Sequence, residues 1–239
     1  MIKLNKEDII LFAGDSITHG GRLERMDVNH LMGHGFQSII SSRLATDNIE
    51  NLPKFYNKGI SGDTVSKIYS RWGDAIKCKP TIINLLIGVN DILTVDTLTP
   101  EIVAEKYIYV LRGLLKDTFS LLPDVKFILC EPFFFDVLNQ DNPYENIPHP
   151  VCEVDFKFGN SDRCEQTIQQ RKKALSLIQK QLPDIAKEFN LIYVPFQDIF
   201  DEYAKKIPVS YLIWDNIHPT MVGHQLMADR WFEVTEGKI

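Results

Sequence analysis

The feature that most constrains the fold is an alternation of short apolar runs with longer stretches of helical periodicity. The run at residues 81–87 is apolar along almost its whole length and is followed by Gly88. Strands that are buried on both faces of a parallel sheet have this composition. Five such runs predict strands, at residues 8–13, 55–57, 81–87, 126–130 and 191–194.

Helical patterns separate the predicted strands. Thr99, Pro100 and Glu101 form a typical helix start, with a capping hydroxyl, a proline in the first turn and an acid near the positive helix end. Helices are predicted at residues 35–45, 65–76, 99–118, 161–189 and 220–232, with an interruption at Pro183 in the fourth. The alternation predicts a single α/β domain over residues 1–239, with a central parallel five-stranded sheet covered by helices on both sides. The aperiodic, proline-containing stretch at about residues 135–162 is interpreted as an insertion near one end of the sheet.

Composition limits the classes of function. The 239 residues are 44% hydrophobic and 24% charged, which is typical of a globular protein, and the net charge of −6 gives no support for binding nucleic acid. No segment approaches the roughly 20 apolar residues of a membrane span, and the N-terminus has no apolar signal core, so we expect a cytoplasmic protein without a membrane partner. The four cysteines are scattered and contain no C-x-x-C pair, so we expect neither a zinc site nor any other metal or cofactor.

Polar turns follow three of the predicted strands. They span residues 14–18, 57–64 and 88–91, and a fourth polar segment at residues 215–219 precedes the last helix. In open parallel sheets, ligands bind in the crevice beyond the carboxyl ends of the strands. The predicted fold therefore brings these four segments to one edge of the sheet.

The four segments contain the groups that acyl transfer requires. Ser16 supplies a hydroxyl nucleophile, His218 a base, and Asp215 a carboxylate that can orient the imidazole from the same tight turn. The oxyanion requires fixed hydrogen-bond donors, and the candidates are the backbone N–H groups of Ser16 and Gly62 and the side-chain amide of Asn90. The prediction depends on all of these residues coming together.

Each residue taken alone has a simpler structural explanation. A serine at this position is most often a helix N-cap, Gly62 suits an ordinary turn, and Asn90 suits a loop or cap. Asp215 and His218 could be a structural hydrogen-bonded pair. His19, one helical turn after Ser16, is a competing candidate for the base.

Three further histidines lie outside the candidate site. His30 and His34 have the i,i+4 spacing of metal ligands, but the glutamate of an H-E-x-x-H motif is absent, so we interpret them as a loop or helix-surface feature. His224 is interpreted as structural.

These residues together resemble the SGNH (GDSL-type) hydrolase family, which is named for Ser, Gly, Asn and His in separate sequence blocks. The blocks are Gly14-Asp15-Ser16, Gly62, Gly88-x-Asn90-Asp91 and Asp215-x-x-His218-Pro219. The resemblance covers most of the chain, from Ile9 to about Phe232. It implies a flavodoxin-like three-layer α/β/α sandwich and hydrolysis of esters without a metal.

Within the family, the sequence is similar to bacterial cytoplasmic acetylxylan esterases. The segments that carry this similarity are residues 57–62, 71–72, 87–91 and 214–219. The similarity implies a serine esterase that removes acetyl groups from acetylated xylo-oligosaccharides, and a homo-oligomer. Asp15 and Trp214 are the candidate substrate-binding residues, and aromatic residues 133–135 could line the same region.

Two alternatives to a sugar deacetylase stay open at this stage. The first is another ester or thioester substrate of the same family, such as a short-chain lipid, a lysophospholipid or an acyl-CoA. The second is a protein without catalytic activity that binds a small polar ligand in the crevice. Labelling by a fluorophosphonate separates the second alternative, because only an activated serine reacts.

Overall fold

The protein is represented by a computed structural model, which describes residues 2–23, 27–136 and 165–239. Its five strands are β1 (Ile9–Gly14), β2 (Lys54–Asn57), β3 (Ile82–Leu86), β4 (Lys126–Cys130) and β5 (Ile192–Val194). They form one sheet in the order β2-β1-β3-β4-β5, and every neighbouring pair is parallel. The predicted parallel five-stranded sheet is confirmed, and its strand order is that of flavodoxin-like folds.

Helices connect the strands. They are α1 (Ser16–His19), α2 (Phe36–Asp47), α3 (Val65–Ser70), α4 (Gly73–Ile76), α5 (Val89–Ile92), α6 (Pro100–Leu121), α7 (Glu165–Gln179), α8 (Leu182–Glu188), α9 (Gln197–Tyr203) and α10 (Met221–Thr235). Helix α6 begins as predicted, with Thr99 at the N-cap and Pro100 in the first turn.

The helices pack in two groups that enclose the sheet. Helix α2 packs against α10, while α3 and α7 pack against α6. All residues of β3, the central strand, are buried. Its apolar composition follows from this burial on both faces, and the arrangement is the predicted three-layer α/β/α sandwich.

Two predicted helices are each divided in the structure. The predicted helix at 65–76 breaks at Arg71 and Trp72, next to Gly73, a residue with low helix propensity. The C-terminal part of the predicted helix at 161–189 breaks after Gln179 and resumes at Leu182 with Pro183 in its first turn. Proline lacks the N–H that a continuous helix needs, so the predicted interruption is confirmed.

Some predictions fall on residues outside the described part of the chain. The predicted insertion at about 135–162 lies there, apart from Phe135 and Asp136, and so do the first residues of the predicted helix at 161–189. Within the described ranges, Cys78 and Cys130 are free thiols. None of the helices in those ranges is long and apolar enough to span a membrane.

Candidate active site

The strand order reverses between β1 and β3, because β2 lies on one side of β1 and β3 lies on the other. This position is the topological switch point of the sheet. Gly14 is level with Leu86 in the parallel register, so the segments that follow β1 and β3 leave the sheet side by side. Ser16 is in the first of these segments and Asn90 in the second. This is the crevice where parallel sheets bind ligands.

Ser16 is the first residue of α1, and the residue before it caps the helix. The Asp15 side chain accepts a hydrogen bond from the N–H of Ile17 at 3.0 Å. The alternative in which Ser16 is the N-cap is therefore wrong. Because Asp15 satisfies this helix end, the Ser16 hydroxyl is available for another partner.

That partner is His218. The Ser16 Oγ lies 2.7 Å from His218 Nε2, and His218 Nδ1 lies 2.6 Å from Asp215 Oδ2. A chain of two hydrogen bonds thus joins the three residues, although 202 positions separate serine and histidine in the sequence. The carboxylate favours the tautomer with hydrogen on Nδ1, which leaves Nε2 to accept the serine proton.

Asp215 stabilises the turn that carries His218 through hydrogen bonds to its backbone. Asp215 Oδ1 accepts hydrogen bonds from the N–H groups of Ile217 at 3.2 Å and His218 at 2.7 Å. The Trp214 N–H donates to the His218 carbonyl at 3.0 Å, and the carbonyl of Asn216 accepts from the N–H of Phe135. One carboxylate therefore both shapes the turn and orients the imidazole.

Charge around the imidazole favours its protonated form. Burial lowers the pKa of His218, but the hydrogen bond and the charge of Asp215, together with the charge of Asp15, outweigh this effect. The pKa of His218 is therefore raised above its ordinary value of 6.5. The neutral form that can act as a base is reached at a correspondingly higher pH.

Asp15 lies beneath the crevice. It is 1% exposed, and its Oδ2 has no hydrogen-bond partner among the described residues. Burial raises the pKa of Asp15 to about 7, against the hydrogen bond from Ile17. A carboxylate enclosed in this way has no surface to offer a substrate, so the structure does not support the expectation that Asp15 binds substrate.

The candidate oxyanion donors lie on three segments that are bonded to one another. The Ile60 N–H donates to the Gly14 carbonyl at 3.0 Å, and Asn90 Nδ2 donates to the Asp63 carbonyl at 2.9 Å. Gly62 has a φ of +78°, which favours glycine at this position. Among the described residues, the backbone N–H groups of Ser16 and Gly62 donate to no other protein group.

Aromatic residues near the site divide into one exposed ring and three buried ones. The Trp214 ring stacks on the His218 ring, with centroids 5.7 Å apart and an angle of 24° between planes, and it is 41% exposed. Phe133, Phe134 and Phe135 are buried in the core. Trp214 therefore stays a candidate for contact with substrate, whereas the three phenylalanines contribute to packing.

Three other histidines, His30, His34 and His224, make contacts that do not involve Ser16. The Nδ1 of His30 is 3.0 Å from the Asp27 carboxylate, and the His34 ring packs edge-on against His224. His224 Nδ1 accepts the N–H of Phe36 at 3.1 Å, and burial lowers its pKa to about 3, as expected for a neutral structural histidine. Residues 2–23, 27–136 and 165–239 contain no cluster of three or more side chains that could hold a metal ion.

Comparison with known protein families decides the class of the protein. The model of the GDSL-like lipase/acylhydrolase family matches residues 12–226, which include all the segments of the crevice. The chain belongs to this family. It is a carboxylic ester hydrolase.

Relatives of this GDSL-like acylhydrolase match over nearly their full length. An acetylxylan esterase from Geobacillus stearothermophilus is 28% identical over 236 residues, covering 95% of this chain and 93% of the relative. A crystal structure of an acetylxylan esterase from the same organism superimposes with a TM-score of 0.71 at 26% identity, over 97% and 95% of the two chains. A protein from Parabacteroides merdae, described as a GDSL-like lipase, has a TM-score of 0.72 at 34% identity, over 98% and 97%.

Solved variants of the Geobacillus esterase include two that are described as catalytic mutants. One has an aspartate replaced by alanine and the other a histidine, and these two residues are three positions apart in that enzyme.

Several residues that frame the crevice of this acylhydrolase have no role that was predicted from the sequence. Asp63 forms an ion pair with Arg71 at 2.6 Å, and Asp91 accepts the N–H of Val65 at 3.0 Å. Asn57 bonds backbone groups of two other segments. Only Asn57 had a local signal, since an asparagine two residues before a glycine at a strand end is typical of an Asx-turn.

Proposed function

We propose that the protein is a serine esterase that removes acetyl groups from carbohydrate esters such as acetylated xylo-oligosaccharides. The observation that best supports this proposal is the hydrogen-bond chain from Ser16 through His218 to Asp215 at the switch point of the sheet. Nucleophile, base and orienting acid have the order and the distances that acyl transfer needs.

Acylation begins when His218 Nε2 takes the proton of the Ser16 hydroxyl. The Oγ attacks the ester carbonyl carbon, and the electron pair of the carbonyl moves onto its oxygen. When this tetrahedral intermediate collapses, the bond to the sugar oxygen breaks and His218 returns the proton to the leaving alcohol. Water then attacks the acetyl carbonyl carbon while His218 takes its proton. The bond to Ser16 Oγ breaks as His218 returns the proton to that oxygen, and acetate leaves.

The oxyanion is stabilised by donors that are already in place. These are the N–H groups of Ser16 and Gly62 and the second proton of Asn90 Nδ2, whose first proton binds the Asp63 carbonyl. Because the donors are fixed by backbone and side-chain bonds, no reorganisation is needed when the charge develops.

Two observations support an acetylated sugar as the substrate. The relative with 28% identity is an acetylxylan esterase, and its catalytic aspartate and histidine have the same spacing as Asp215 and His218. The exposed ring of Trp214 lies beside the base. Aromatic rings at the edge of a site suit the apolar faces of sugar rings.

The test measures acetate release from acetylated xylo-oligosaccharides and hydrolysis of p-nitrophenyl acetate, butyrate and octanoate. We expect the highest kcat/KM with acetyl esters and a loss of at least about 10⁴-fold in kcat for Ser16→Ala, as for loss of a nucleophile. Ser70→Ala is a matched control, because Ser70 is exposed and bonds only the Lys67 carbonyl within the described structure.

Two results would contradict this proposal at different levels. Activity that is retained in Ser16→Ala would remove the serine mechanism. A kcat/KM that rises from the acetate to the octanoate ester, with no release of acetate from the oligosaccharide, would indicate a lipid or thioester substrate instead of an acetylated sugar.

A further inference from the structure

Asn57 ends β2, the strand next to β1, and its side chain makes no hydrogen bond to Ser16, His218 or Asp215. Its side chain is buried and bonds three backbone segments. Nδ2 donates to the carbonyl of Thr18 at 2.7 Å and to the carbonyl of Met32 at 2.9 Å, while Oδ1 accepts the N–H of Gly59 at 2.9 Å. One amide thus joins the Ser16 helix, the loop after it and the segment that leads to Gly62.

The Gly59 peptide unit is fixed from two sides. Asn57 holds its N–H, and the Arg22 guanidinium donates to its carbonyl through Nε at 3.2 Å and a terminal nitrogen at 3.0 Å. Gly59 also packs against α1 so closely that a Cβ would lie 2.4 Å from the backbone nitrogen of His19. The segment is therefore pressed against the helix that carries Ser16, and only glycine fits.

Gly62 lies three residues beyond this anchor. The other end of the segment is also held, because Asn90 bonds the Asp63 carbonyl and Arg71 pairs with the Asp63 carboxylate. The Gly62 N–H thus sits in a short span between two anchors. Its position relative to Ser16 depends on the anchor at Gly59, which Asn57 links directly to α1, and on the bond from the Ile60 N–H to the Gly14 carbonyl.

We propose that Asn57 is a positioning residue which, together with Arg22, fixes the Gly59 segment on the Ser16 helix and so sets the distance between two oxyanion donors. This inference rests on the proposed function, in which the N–H groups of Ser16 and Gly62 bind the oxyanion. A misplacement of catalytic groups by about 1 Å can cost about 10²-fold in rate. The loss falls on kcat, since the oxyanion exists only after substrate has bound.

The decisive variant is Asn57→Asp, which keeps the acceptor for the Gly59 N–H and removes the hydrogen bonds that Nδ2 donates to the carbonyls of Thr18, His19 and Met32. The chain offers a matched control in Asn48→Asp. Asn48 Oδ1 accepts the N–H of Leu4 at 2.8 Å, and its Nδ2 donates to two carbonyls, those of Ile2 and Leu44. It makes the same kind of bridge at the opposite end of β1, away from the crevice.

The measurement is kcat and KM for p-nitrophenyl acetate, together with thermal unfolding of each variant. We expect both variants to lose stability, but only Asn57→Asp to lose about 10- to 100-fold in kcat, with KM changed less than threefold. Arg22→Ala, at a partly exposed position, is the second variant and loses about threefold or more in kcat without unfolding. It tests the same anchor if Asn57→Asp does not fold.

The outcomes separate this inference from the proposed function. A folded Asn57→Asp whose kcat matches that of Asn48→Asp would overturn the positioning role, and so would an Arg22→Ala enzyme with wild-type kcat where Asn57→Asp does not fold. In either case Ser16→Ala would still be inactive and the proposed function would stand. A wild-type protein that hydrolyses no ester would overturn both.

Discussion

Ser16 and Asp15 are adjacent in the sequence and have different physical environments. Ser16 faces the crevice and bonds His218, whereas Asp15 points inward, caps α1 and keeps one buried oxygen without a described partner. Taken by itself, Ser16 was as good a candidate for the cap as for the nucleophile, because serine and aspartate are about equally good caps and the position of the helix start was unknown. Which of the two caps the helix also decides which of them can react.

The pH dependence of activity tests the charge around His218. Its pKa is raised, so kcat/KM should be low in acid and should rise to a plateau with a midpoint above 6.5. The charge of Asp15 contributes to this rise, so Asp15→Asn should move the midpoint to lower pH while preserving the cap of α1. The measurement is a pH profile of kcat/KM for both proteins between pH 5 and 9. Coincident profiles would show that Asp15 does not influence the base.

At the scale of elements, α10 brings His218 to the crevice through a close contact at its first turn. A Cβ at Gly223 would lie 2.3 Å from the Leu212 carbonyl oxygen and 2.9 Å from Pro219. Both atoms belong to segments that flank the turn that carries His218. The packing of α10 and the placement of His218 therefore depend on the same glycine.

Gly223→Ala should displace the start of α10 and destabilise the protein by about 1–3 kcal/mol, as overpacking does. Activity should fall with it, since the displaced segment adjoins His218. Gly73→Ala is the matched control, because a Cβ at this helical glycine would meet nothing within 4 Å. Chemical unfolding and kcat of both variants check the prediction, and equal stability of the two would show that α10 adjusts without strain.

Sequence patterns predicted the long elements better than the short ones. The apolar strand at 81–87 and the capped helix at Thr99 have strong local signals, and both occur in the structure. Helices α5 and α9 were not predicted, because four and seven residues hold too little periodicity to distinguish a helix from a loop. The break at Arg71 was also missed, since a single glycine, Gly73, within an otherwise helical pattern does not show whether the helix ends there.

At the scale of the whole molecule, two buried carboxyl groups at the crevice, those of Asp91 and Asp15, make the folded state less stable near neutral pH than in acid. Burial raises the pKa of Asp91 from 3.8 to about 7. Between these values the folded protein binds more protons than the unfolded chain. The stabilising contribution of this group is thus complete below about pH 4 and is lost as the pH rises through 7. Asp15 acts in the same direction.

Asp91→Asn should remove part of the loss of folding stability that occurs as the pH rises. Asparagine keeps an acceptor for the Val65 N–H but does not ionise, so the variant should gain thermal stability relative to wild type between pH 5 and 8. The gain should reach several degrees, at about 2–4 °C per kcal/mol for a protein of this size. Asp124→Asn, at an exposed position, should show no such trend. A difference in Tm that stays constant across this range would contradict the assignment.

Parallel topology explains why the site was easier to predict as a set than to place in detail. The glycine-marked turns identified which segments meet, because the carboxyl ends of parallel strands share one edge. The links among them, such as the Asn57 amide to Thr18 and Met32, depend on side-chain orientation across segments and leave no pattern in the sequence.

The separation of 202 positions between Ser16 and His218 also affects when the two residues become available during protein synthesis. At about 5–20 residues per second, a ribosome adds the histidine roughly 10–40 s after the serine. Throughout that interval the nascent polypeptide carries the proposed nucleophile, Ser16, without its proposed base, His218. On the proposed mechanism, a chain that is terminated before His218 hydrolyses no ester. Ester hydrolysis begins only when α10 has packed and His218 has reached Ser16.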